Sequence, residues 1–166
     1  YYYGMDGFEM LYTRRSVRTF NPKPVGDDTL QKIVKAGLSA ATARNLQPIH
    51  VVIIKDTAMK TKLAGITDYG KFIANAPVCL AVLAEDTKYY LEDGSACTQN
   101  ILLAARYFGI GTCWVAGDKK AYASAIVDLL GMPASYKLVS LVAVGYPRDD
   151  NVFREKNLKH GPDKTI

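Results

Sequence analysis

The segment from Thr87 to Phe108 most constrains the fold. It is the longest stretch of helical character in the chain, and Ala96, Ile101, Leu102, Leu103, Ala104 and Ala105 leave its later half apolar almost all round. A helix of that kind belongs at the centre of a molecule rather than on its surface. Gly109 is placed to end it.

Four apolar runs are spaced around this helix. Ile49–Ile54 is nearly continuous and β-branched, the pattern of a strand buried on both faces. Residues 77–84, 111–117 and 136–144 read as three further strands, with 111–117 starting and ending on glycine. Shorter helices fall between them. Phe8, Leu11 and Tyr12 give a helix over 6–13. Asp27 or Asp28 caps a second, whose buried face is Leu30, Ile33, Val34, Gly37 and Leu38 and which ends within 39–43. Asp56 or Thr57 starts a third through Leu63, and 119–130 is a fourth, stopped by Gly131 and Pro133. Residues 69–75 have no clear periodicity. The expected architecture is one α+β layer domain over residues 1–166, with no repeat and no linker.

Hydrophobic residues make up 49% of the 166 and charged residues 22%, the balance of a folded globular chain. Cys79, Cys97 and Cys113 form no CxxC pair and each lies in an apolar run, so buried thiols in a reducing compartment are expected. Only His50 and His160 could join them around a metal, so no metal site is expected. No apolar stretch approaches the roughly 20 residues that span a bilayer. The start lacks a basic flank followed by an apolar segment, and the protein reads as cytoplasmic. Met5 suits a natural first residue, which would make residues 1–4 an addition. Residues 148–166 are polar, so their order has to come from packing on something else.

Arg14-Arg15-Ser16-Val17-Arg18-Thr19-Phe20 carries three guanidiniums and two hydroxyls in seven residues, ahead of Pro22-Lys23-Pro24. The guanidinium fork matches phosphate and carboxylate oxygens, so this density fits an anion site. A solvated basic segment at a helix end is the competing reading. The net charge of +5 is spread along the chain and suits a phosphorylated small molecule as well as a nucleic acid.

These motifs, taken in order, carry a resemblance. Arg14-x-Ser16-x-Arg18, Asn45-x-Gln47-Pro48, Ala76-Pro77, Gln99-Asn100, Gly109-x-Gly111-Thr112-Cys113-Trp114 leading to Gly117, and Val144-Gly145-Tyr146-Pro147 cover most of residues 8–156. Together they resemble the FMN-dependent nitroreductase family in a short form. The resemblance implies a nitroreductase-like α+β sandwich, its central sheet mainly antiparallel and flanked by helices, in an interlocked homodimer with FMN at the subunit interface. It also implies ping-pong chemistry, with hydride passing from NADH or NADPH to flavin N5 and on to a nitroaromatic, a quinone or a similar small electron-poor acceptor. A dimer agrees with the residues themselves, since the central helix is apolar on more faces than one small sheet can cover.

By the same resemblance Arg14 and Ser16, with Arg15 beside them, meet the phosphate and ribityl chain, and Arg18 reaches the pyrimidine edge. Thr42, Asn45 and Gln47 approach the flavin from the other subunit; Ala41-Thr42 and Ile49 depart from the family's usual residues, which makes Asn45 the stronger candidate. The backbone of Ala116 and Gly117 lies against N5 and O4, with glycine allowing the close approach. Arg154 and Lys156 close over the phosphate, while the tail packs on the partner. No residue is assigned as acid or base, because hydride transfer relies on positioning and electrostatics. Trp114 and Cys113 read as core. Two other functions compete: the same fold with another flavin task, such as dehalogenation, flavin breakdown or dehydrogenation, and a non-enzymatic basic nucleic-acid-binding domain. The absence of aromatic interleaving on the strands disfavours the second.

Overall fold

The computed structural model describes residues 4–166. The expectation that residues 1–4 are an addition therefore falls, for Tyr1–Tyr3, outside the described residues. Asp6 accepts from the Glu9 N–H and caps α1, Gly7–Thr13. The remaining elements are α2 Asp27–Leu38, β1 Ile49–Ile54, α3 Thr57–Ile66, β2 Val78–Ala84, α4 Tyr90–Tyr107, β3 Gly111–Ala116, α5 Ala123–Leu129 and β4 Lys137–Gly145. Short 3-10 turns occupy Ala43–Asn45, Lys71–Asn75 and Asp150–Val152.

The four strands form one antiparallel sheet in the order β1-β2-β4-β3. This is the antiparallel α+β arrangement that the motifs imply. Two apolar layers cover its faces. In one, Leu30 and Ile33 of α2 and Cys97, Ile101 and Ala105 of α4 pack on Val78, Leu80, Val82 and Val142. In the other, Leu63 of α3, Ile73 and Ile126 of α5 pack on Cys79, Ala81, Leu83 and Leu141, with Val17 and Phe20 from the arginine segment. All three cysteines are free and buried. No helix among the described residues is long and apolar enough to cross a membrane.

Several expectations need correction. Ile49–Ile54 has the expected limits but is an edge strand, buried only at Ile49 and Ile54, because β-branching reports strand character and not position in the sheet. Trp114 is 38% exposed rather than core, since alternation along β3 turns it outward between buried Cys113 and Val115. Residues 119–122 are turns instead of the first part of α5, held by the Lys120 N–H to Gly117 O and Ala123 N–H to Lys120 O bonds. Helix α4 begins at Tyr90 rather than Thr87, and α3 runs one turn past Leu63.

Candidate functional site

Helix α1 stops at Arg14, whose backbone is extended, and the chain then runs along β3. Ser16 forms a parallel bridge with Thr112, and the Val17 N–H donates to Thr112 O at 2.9 Å. Alternation in extended chain puts Val17, 3% exposed, into the core and leaves Arg14, Ser16 and Arg18 facing the other way. The segment stays attached past Phe20, through Asn21 N–H to Tyr146 O and Arg148 N–H to Thr19 O.

Arg14, Arg15, Ser16 and Arg18 meet Lys156 around a pocket of about 300 Å³. Among the described residues no carboxylate lies within ion-pair reach of these four cations. Burial first, and the charge of Arg15 second, push the Arg14 guanidinium down from its ordinary range. Both effects oppose a positive charge that has no partner, and an anion in the pocket would relieve them. The Cys113 thiol lies beneath, pushed up by burial while Arg18, a bond with Ser16 and Arg14 act in the opposite sense. A neutral, buried thiol is no nucleophile.

Arg18 also lines a second pocket, of about 240 Å³, whose walls include Tyr69, Phe72, Trp114, Ala116 and Tyr122. The Arg18 guanidinium lies 6.0 Å from the centre of the Phe72 ring. Lys120 also lines it, bound to Asp68 at 2.9 Å and lying 5.3 Å from the Tyr69 ring centre. The Tyr122 hydroxyl donates to Ala116 O at 2.7 Å. A cationic pocket thus opens beside an aromatic one, and Arg18 belongs to both.

Gly117 follows Ala116 at this rim. A Cβ there would sit 2.9 Å from Val139 O and 2.9 Å from Leu138 Cγ, so the glycine is required by contact with β4. Lys156 reaches the arginine pocket. Exposed Arg154 does not line it, and its neighbour Phe153 turns inward beneath the Arg106 guanidinium, 4.3 Å from the ring centre.

Thr42, Asn45 and Gln47 lie elsewhere. Thr42 and Gln47 line a separate pocket of about 150 Å³ between α2 and α4, with Asp93 and Cys97 on its far side. The Gln47 N–H donates to Thr42 Oγ1 at 3.1 Å, and Gln47 Nε2 donates to Asn45 Oδ1 at 3.0 Å. The chain therefore brings together Arg14, Arg15, Ser16, Arg18 and Lys156, places Ala116 next to them across Arg18, and keeps the 42–47 loop apart.

Sequence reasoning missed Tyr69, Phe72, Lys120, Tyr122 and the outward Trp114. Tyr69 and Phe72 sit in a stretch without periodicity, and only the tertiary fold brings them opposite β3. The available signal was the exposed register of Trp114 between two small, buried neighbours.

A family model described as "Putative TM nitroreductase" matches residues 6–163. A protein of Archaeoglobus fulgidus named "Putative NADH dehydrogenase/NAD(P)H nitroreductase" is 36% identical over 163 residues, 94% of each chain. One of the same name from Methanothermobacter thermautotrophicus is 28% identical, over 91% of this chain and 82% of its own. Among solved structures, an "FMN-dependent Nitroreductase" of Clostridium difficile superposes with a TM-score of 0.86 at 25% identity, covering 95% of this chain and 99% of that one. With that match along nearly its whole length, the chain belongs to the nitroreductase family.

Proposed function

We propose that this protein is an FMN-dependent oxidoreductase that takes electrons from NADH or NADPH and reduces small electron-poor acceptors such as nitroaromatics or quinones. The observation that carries this reading is Arg18, shared by a cationic pocket without carboxylate partners and an aromatic-walled pocket beside it. A molecule with a doubly charged phosphate at one end and a flat ring at the other suits both. FMN, when bound, supplies two-electron transfer between a nicotinamide donor and the acceptor.

Arg14, Arg15, Ser16 and Lys156 hold the phosphate through charge-assisted bonds. Arg18 places a fixed positive charge where the two pockets meet, favouring negative charge that develops on a bound ring. Trp114, Tyr69, Phe72 and Tyr122 give that ring a polarisable aromatic wall. Asn45, with Thr42 and Gln47, contributes from a second copy of the chain, and the backbone of Ala116 and Gly117 lines the ring side. Arg154, exposed and two residues before Lys156, joins the other cations when the tail closes over the phosphate. The relatives' names, NAD(P)H nitroreductase and FMN-dependent nitroreductase, support the donor and the cofactor.

The visible spectrum of the purified protein, before and after adding FMN, tests this. Arg14→Ala combined with Lys156→Ala should weaken FMN binding by about 100-fold or more, since each lost charged bond is worth roughly 1.5–3 kcal/mol. A colourless protein that takes up no added FMN would sink the reading. Anaerobic stopped-flow with NADH and with NADPH then identifies the donor, and no flavin bleaching with either would leave one of the other flavin tasks.

A further inference from the structure

Three residues other than glycine in the loop after α2 hold left-handed backbone: Arg44 and Asn45 at φ 55° and Gln47 at φ 51°. Such conformations are costly for residues other than glycine and persist only where the surroundings over-determine them. Most of the compensating bonds are internal to the loop. Asn45 N–H donates to Thr42 O, Leu46 N–H to Ala43 O, Gln47 N–H to Thr42 Oγ1 and Gln47 Nε2 to Asn45 Oδ1. Bonds that close a loop on itself move with it and do not fix its place on the protein.

One side chain from outside does fix it. Asp93, in the first turn of α4 and 4% exposed, accepts the Ala43 N–H on Oδ1 at 2.9 Å, across 50 residues of chain. Its second oxygen, Oδ2, is buried and has no partner. Burying a carboxyl with half of its acceptor capacity unused is unfavourable for stability alone. A hydrophobic residue would pack there more cheaply, whereas the carboxyl supplies a bond at the point where the loop begins its left-handed course.

We infer that Asp93 is a positioning residue that tethers the Thr42–Gln47 loop to α4 and so holds Asn45 in the geometry that contacts FMN. This rests on the proposed function, in which Asn45 approaches the flavin. Asp93 touches no cofactor itself and acts through the loop. The central helix thereby contributes to the site as well as to the core.

FMN affinity, titrated by flavin fluorescence, measures the coupling. Asp93→Ala and Asn45→Ala should each weaken FMN about tenfold, and the double variant should remain near tenfold because both act through one element. Asp93→Asn keeps an acceptor for the Ala43 N–H and should recover affinity to within about threefold of the native chain. Hydrogen exchange at the amides of residues 43–47 should accelerate in Asp93→Ala, a readout that needs no flavin. Should that variant not fold, Ala43→Pro removes the same bond from the donor side, at a first helical position where proline is tolerated, and carries the same expectations. Wild-type FMN binding together with an additive, roughly hundredfold loss in the double variant, or with unchanged exchange in Asp93→Ala, overturns the tether and leaves the function standing. A wild-type chain that binds no FMN overturns the function and this role with it.

Discussion

Gly111 lets the arginine segment pack tightly on the sheet. A Cβ there would lie 2.7 Å from Val17 Cβ and 2.6 Å from Val17 Cγ2, contacts that only a shift of the backbone could relieve. Gly111→Ala should cost about 1–3 kcal/mol of stability through overpacking. It should also weaken FMN binding, because Val17 carries Ser16 and Arg18 on its two sides. Chemical denaturation and FMN titration check the two effects, and a loss of stability with unchanged affinity would separate the segment's packing from its binding role. The arginine pocket was legible at this scale because its members are local: Arg14, Arg15, Ser16 and Arg18 share one run of chain. Asp93 was not legible, since an acidic residue in a helix's first turn ordinarily reads as a surface residue favoured by the helix dipole.

At the scale of elements, each apolar layer of the sheet carries a buried thiol: Cys79 of β2 on one side and Cys97 of α4 on the other. Burial pushes both up from 9.0, the ordinary thiol value, to about 12. The unfolded thiols ionise near 9.0 while the folded ones hold their protons, so this contribution to stability is complete below that pH and is lost as pH rises toward about 12. Unfolding free energy should therefore fall across that window, and Cys79→Ala with Cys97→Ala should flatten the slope. An equal slope in the variant would place the alkaline lability elsewhere. Strand and helix existence was readable from β-branched runs and apolar periodicity. Strand order was not: β1 and β2 have similar compositions, yet β1 is an edge and β2 is central, because pairing is decided by partners distant in sequence. The wall made by Tyr69 and Phe72 was hidden for the same reason.

At the scale of the whole molecule, Phe8, Leu11 and Tyr12 of α1, Leu38 of α2, Leu46 of the loop after α2, and Tyr107 of α4 are all exposed. Under the proposed function these side chains are where a second copy of the chain would pack. Light scattering after gel filtration should give twice the 18.2 kDa chain mass, with or without FMN. A monomer that binds FMN with full affinity would remove the partner-supplied Asn45 from the proposal. The run from Ser16 to Asn21 bears on solubility too. It lies along the outer side of β3 and past the end of β4, where unpaired amides and carbonyls would otherwise offer a template to a neighbouring chain. The backbone run that carries Ser16 and Arg18 is therefore also a cover against strand-on-strand aggregation. Loss of this segment by proteolysis would uncover that edge, in the same cut that removes Ser16 and Arg18 from the arginine pocket.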